Sequence, residues 1–93
     1  MGEHLGWTFL SNHAHVLVCL GGDNSLRQSE IAEQVGITER AVAKIITDLE
    51  TAHVLKVFRV GRRNTYEINR RAKLRHPLES TKTVGDLLKS VGL

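Results

Sequence analysis

Apolar residues recur along this chain at two different spacings, and the change of spacing divides it. Over Leu10 to Leu20, the residues Leu10, Ala14, Val16, Leu17, Val18 and Leu20 recur at three- and four-residue intervals, which predicts a largely buried helix over about 10–20. Ser11 or Asn12 is placed to cap it. The run Gly21-Gly22-Asp23-Asn24-Ser25 is a cluster of turn formers. Arg27 to Gln34 then reads as a short helix with Ile31, Ala32 and Val35 on its inner side. Leu26 ahead of it suits a short strand, and Ser25 with Gln28 three residues on is an alternative capping box.

Gly36 interrupts the helical pattern where a left-handed turn fits, and Thr38 follows as the N-cap of a helix over about 38–52, with Glu39 in its first turn. Val42, Ile45, Ile46 and Leu49 fall at i, i+3, i+4 and i+7, a single stripe. At about 100° per residue the opposite side holds Arg40, Lys44, Thr47 and Thr51, with Ala43 on its shoulder. The preference then changes to strand. Leu55 to Val60 and Thr65 to Asn69 are rich in β-branched and aromatic residues, and Gly61-Arg62-Arg63-Asn64 between them reads as a hairpin turn. Arg70 to Pro77 reads as irregular, and a last helix over about 82–91 carries Val84, Leu87, Leu88 and Val91 on one stripe.

Two helices joined by a glycine turn and followed by a β-hairpin predict a mainly α fold with a small β-hairpin wing, an α+β winged helix-turn-helix. The expected organisation is one domain over 1–93, with the helix-turn-helix at about 27–52, the wing at about 54–69 and terminal helices at about 10–20 and 82–91. Finer spacing agrees. Ala32, four residues before Gly36, is small enough to let two crossing helices approach, and Val42, six residues after it, is an apolar lock.

Composition adds a partner. The 93 residues are 41% hydrophobic and 25% charged, as in a folded soluble domain rather than a disordered tail, and a core this small leaves room for help from a second copy. No segment approaches the roughly 20 apolar residues of a transmembrane helix. The N-terminus lacks the basic leader of a secretory signal, so the expectation is a cytoplasmic protein associated with the nucleoid. A single cysteine, Cys19, excludes a disulfide framework and a cysteine-rich zinc site. Charge is unevenly placed: His53 to His76 holds eight bases against Glu67, a net +7, while the other five bases and nine acids give −4. Such a concentration suits an anionic polymer.

Major-groove readers need a helix whose exposed side offers hydrogen-bonding groups to base edges, commonly from its N-terminal half. Thr38, Glu39, Arg40, Ala43, Lys44 and Thr47 meet that description. Arg40 suits bidentate bonding to guanine, Ala43 or a threonine methyl suits thymine, Lys44 suits a base or a phosphate, and Glu39 suits cytosine or simply the helix dipole. Arg59, Arg62 and Arg63 on the wing suit phosphates or a narrow minor groove, with Asn64 and Thr65 as neutral phosphate donors. The bland readings are a core helix and a solvated basic loop that deters edge pairing.

The stretches LSNHAHVLVCL, IAEQVGITERAVAKIITDLE, VGRRNTYEIN and RHPLESTKTVGDLL together resemble the compact winged-helix transcriptional regulators of bacteria, broadly MarR- or ArsR-like, and particularly small actinobacterial ones. The resemblance runs from Trp7 to Leu88 and implies sequence-specific binding of double-stranded DNA through the second helix of the motif, with the wing on flanking backbone or minor groove. His53 departs from the pattern, because such proteins often carry glycine just after the recognition helix.

A homodimer through the N- and C-terminal helices is the expected assembly, with Trp7 and Phe9 anchoring the N-terminus on the core or on a partner subunit, or lining a ligand pocket. His15 and Cys19, with His13 and His76, invite a metal-sensor reading, but two groups at helical spacing are too few for a site, so no metal and no cofactor are expected. No nucleophile, base and orienting group assemble from Glu30, Glu33, Asp48 and His53, so no enzyme is expected. The alternatives are a winged-helix protein-interaction module and a metal- or ligand-responsive repressor.

Overall fold

The computed structural model describes residues 5–93. Helices α1 (Asn12–Gly22), α2 (Gln28–Val35) and α3 (Glu39–Thr51) precede an antiparallel hairpin of β1 (Leu55–Val60) and β2 (Arg63–Ile68), and α4 (Val84–Ser90) closes the order, an α+β fold of the winged-helix kind. Each helix begins where a side chain can take up its unpaired N–H groups. Ser11 Oγ accepts from the Ala14 N–H, Thr38 Oγ1 from the Ala41 N–H, and Thr83 with Asp86 forms a reciprocal capping box. At α2 only half of that arrangement exists: the Arg27 N–H donates to Glu30 Oε1 at 2.9 Å, and the Arg27 guanidinium has no acceptor to return the bond. Neither Ser25 with Gln28 nor a strand at Leu26 forms.

The expected stripes meet in one core. Val16, Leu17 and Leu20 of α1, Ile31 and Ala32 of α2, and Val42, Ile45, Ile46 and Leu49 of α3 are all buried, joined by Val54, Leu55 and Tyr66 of the hairpin and by Val84 and Leu88. Burying each large member stabilises the fold by about 1.5–3 kcal/mol. Among the described residues the core is apolar except for the phenol of Tyr66.

Both ends of α3 turn through left-handed backbone. Gly36 has φ 84°, and the N–H groups of Gly36 and Ile37 both reach the Ala32 carbonyl, at 2.8 and 3.1 Å. At the other end His53 has φ 61°, its N–H bonds the Glu50 carbonyl, and the Val54 N–H bonds the Leu49 carbonyl at 2.9 Å. That pair of bonds is a Schellman motif, which places a residue at positive φ just past a helix. A histidine there carries a steric cost that glycine lacks.

Several boundaries differ from the sequence expectation. Gly21 and Gly22 are the last residues of α1 rather than a turn, and Asp23 is its C-cap. The space at Gly21 is needed sideways: a Cβ there would stand 3.0 Å from Leu93 Cδ1 and 3.5 Å from Leu88 Cδ2. Arg63 and Asn64, expected in the hairpin turn, belong to β2, because Val60 pairs with Arg63 and Arg59 with Asn64. The loop is therefore the dipeptide Gly61-Arg62, with φ 60° at Gly61 alone, which is the type II′ pattern that matches strand twist. Asn24 stands where a third strand would lie: its carbonyl accepts from the Tyr66 N–H and its amide Nδ2 donates to the Tyr66 carbonyl, both at 3.1 Å. Helix α4 is shorter than 82–91, because its cap is Thr83 and Thr83 also bridges to Lys73. Trp7 and Phe9 are not anchored on the core; they lie 70% and 92% exposed.

Candidate nucleic-acid interface

The polar side of α3 is uncovered along its length. Arg40, Lys44, Thr47 and Thr51 are all exposed, and Ala43 is half-buried on the shoulder, as the helical wheel requires. Their availability differs. Thr38 Oγ1 accepts the Ala41 N–H and keeps its own O–H to donate, whereas Thr47 donates its hydroxyl back to the Ala43 carbonyl at 3.1 Å and keeps only acceptor capacity and its methyl. Lys44 Nζ bonds Asp48 Oδ1 at 2.5 Å, one turn along the same helix. Asp48 Oδ2 in turn meets His13 Nε2 of α1 at 2.9 Å. The Lys44 bond, and after it the His13 bond, hold the Asp48 carboxyl below its ordinary value. Arg40 enters no ion pair among the described residues, which leaves its planar fork of donors free. Glu39, in the first turn, is exposed and suits the positive end of the helix.

The wing sorts its residues by strand alternation. Register puts Leu55, Val57, Arg59, Asn64, Tyr66 and Ile68 on the inner face, and Lys56, Phe58, Val60, Arg63, Thr65 and Glu67 on the outer one. Arg59 thus leans toward α3, where Nη1 lies 3.8 Å from Glu50 Oε2, a loose and mostly exposed pair worth little in water. Arg62 occupies the exposed loop, and Arg63 reaches back so that Nη2 is 3.5 Å from the Ser25 carbonyl. Asn64 and Thr65 are half-buried, so only part of each side chain is free for a phosphate.

A cleft of about 280 Å³ joins these parts. Its walls are Ser25, Arg27 and Ser29 at the start of α2, Glu39 at the start of α3, and Arg62 and Arg63 on the wing. The sequence reading missed Arg27, Gln28 and Ser29. Their signal was local, a basic and polar group opening the first helix of the motif, but only the fold turns that opening toward the wing. Three of the cleft's residues are arginines against one acid, so it favours an anion.

His15 Nδ1 bonds Asn12 Oδ1 at 3.2 Å, and burial pushes the Cys19 thiol up, away from a reactive thiolate. Among the described residues no three His, Cys, Asp or Glu side chains come together as a metal site would need. Among the described residues no helix is long and apolar enough to cross a membrane.

A search of curated proteins gives no match to the chain. Residues 9–69 match a family described as a domain of unknown function, DUF7343. The matched span runs from the start of α1 to the end of the wing, well over half of the 93 residues, and the chain belongs to that family.

Proposed function

We propose that this DUF7343 domain binds double-stranded DNA in a sequence-specific way and acts as a transcriptional regulator, MarR- or ArsR-like in plan, in the cytoplasm on the nucleoid. In this reading α3 enters the major groove, and the wing meets the flanking backbone or minor groove. The observation that carries it is the cleft in which the start of α2, the start of α3 and the wing arginines converge beside the uncovered side of α3. A phosphate seated there positions the helix, and base edges are left to Arg40, with Ala43 and the threonine methyls as apolar contacts. Lys44 contributes after exchanging Asp48 for a phosphate or a base. Two copies related by a two-fold axis present two such helices to half-sites about 34–36 Å apart, or a multiple of that. The protein is read as a non-enzyme that works without metal or cofactor.

Selection of bound duplexes from a random pool, followed by titration at several salt concentrations, tests the proposal. A defined site should emerge, and affinity should fall steeply with salt. Arg62→Ala and Arg63→Ala should weaken binding to all duplexes alike and flatten the salt slope by about 1 each. An interaction module is the second reading, favoured by Phe58 and Val60, 39% and 71% exposed on the outer face of the wing. Absence of any salt-sensitive duplex binding would select it.

A further inference from the structure

The segment ahead of α1 leaves its apolar side chains in water. Leu5, Trp7 and Phe9 are 65%, 70% and 92% exposed, and the two rings meet edge to face with centroids 4.9 Å apart. An aromatic side chain has about 150–250 Å² to bury, so at these exposures the pair leaves roughly 250–400 Å² of aromatic surface uncovered. Phe9 stands at the wall of a groove of about 400 Å³ whose floor is Leu17, Leu49, Val54, Leu74, Val84 and Leu87. In the chain between the groove-lining His76 and Glu79, Leu78 is 89% exposed.

We propose that arm and groove are the two halves of an interface between two copies of this chain, with Trp7 and Phe9 of each protomer seated against the groove of its partner. This rests on the two-copy part of the reading above and names its face. A two-fold contact needs one surface that is complementary to itself, and here a single face carries both the projecting rings and the apolar trough that can receive them. Closing it once makes the ring-to-groove contact twice. With Leu5, Leu78 and the groove floor added, the patch approaches the roughly 800 Å² per partner of a standard interface, more than a monomer ordinarily leaves in water. A small ligand in the groove would still leave Trp7, Leu5 and Leu78 wet, whereas a second copy covers all of them. Lys73 and Arg75 on the rim are exposed and stay at the solvent edge. Leu49 reaches the groove from the buried stripe of α3, so the side bearing Arg40 and Thr47 remains open to DNA in the dimer.

Trp7 is the single tryptophan of the chain, so its fluorescence reports this contact without interference. Sedimentation equilibrium of the full chain without DNA should give twice the chain mass, with blue-shifted emission, and dilution should lose both together. Trp7→Ala with Phe9→Ala should weaken association at least about 100-fold, since buried aromatic anchors dominate such interfaces. Its helical circular dichroism should persist, because neither ring supports the core. A wild type that is monomeric at every concentration, with solvent-exposed emission, overturns the proposal. So does a double variant that associates as tightly as the wild type, which would place the dimer on another face. A monomer that binds a defined duplex would remove this interface and leave the DNA reading standing; a dimer of this kind with no duplex affinity would do the reverse.

Discussion

The two sides of α3 are built to opposite standards. On one, Val42, Ile45, Ile46 and Leu49 are between 0% and 7% exposed and pack into the apolar core. On the other, exposure is general but freedom is not: Thr38 and Thr47 bond the helix's own backbone and Lys44 is held by Asp48, while Glu39 and Arg40 enter no ion pair among the described residues. Hydrophobic burial is additive and non-directional, so every member of the stripe contributes. Recognition depends on which donors are unspent, so a side that looks uniformly polar in sequence narrows to a few atoms.

Substitutions on each side should therefore break different things. The largest effect belongs to the core: Ile46→Ala should cost about 2–5 kcal/mol in denaturant unfolding, by lost transfer energy plus a cavity. Next comes Arg40→Ala, which should leave the unfolding midpoint in place and lose about 1–3 kcal/mol of discrimination at one base pair. Lys44→Ala should shift preference less, because the lysine must first leave Asp48; unchanged base preference in both variants would refute the assignment of that side. His53→Gly should stabilise the fold by up to about 1–2 kcal/mol through relief of positive φ, offset in part by the greater freedom of glycine in the unfolded chain.

The smallest effect is one of pH. The Asp48 carboxyl is depressed in the folded state, so its contribution is present above its unfolded value of about 3.9 and is lost as pH falls through the lower folded value. Because the group is exposed, the change should be slight and confined below about pH 4. Asp48→Asn should abolish it and, by freeing Lys44, raise affinity for duplexes of any sequence a few-fold. A stability profile identical in wild type and variant would show that the pair is screened to nothing.

Much of this was legible because it is local. The stripe of α3, the glycine turn before it, the Thr38 cap and the bounds of β1 follow from spacing and side-chain type within a dozen residues. The sequence reading faltered where a distant partner decides. Gly21 resembles a turn glycine until Leu93 comes to rest beside it. Arg63 and Asn64 resemble loop residues until Val60 and Arg59 pair with them. Asp48 reads as one more acid on a helix, and only the approach of His13 from α1 and the rotamer of Lys44 make it the clasp of a three-residue chain. Arg27 and Ser29 were passed over for the same reason: facing the wing is a property of the fold and not of the segment.

The hairpin leaves the body and returns to it at nearly one point. Where it starts, the Val54 carbonyl accepts from the Asn69 N–H at 2.8 Å, and the Asn69 side chain donates to the His53 carbonyl at 3.2 Å. Root and tip are thus mechanically separate, the root clamped to the end of α3 and the tip a two-residue loop. Such a wing is a replaceable part. Insertions made in matched pairs beyond Arg59 and Asn64 would lengthen its reach by about 3.4 Å per residue and keep the alternation of faces, without touching α3. Descendants of this domain can therefore acquire a new footprint by trading fingertips, while the palm stays as it is.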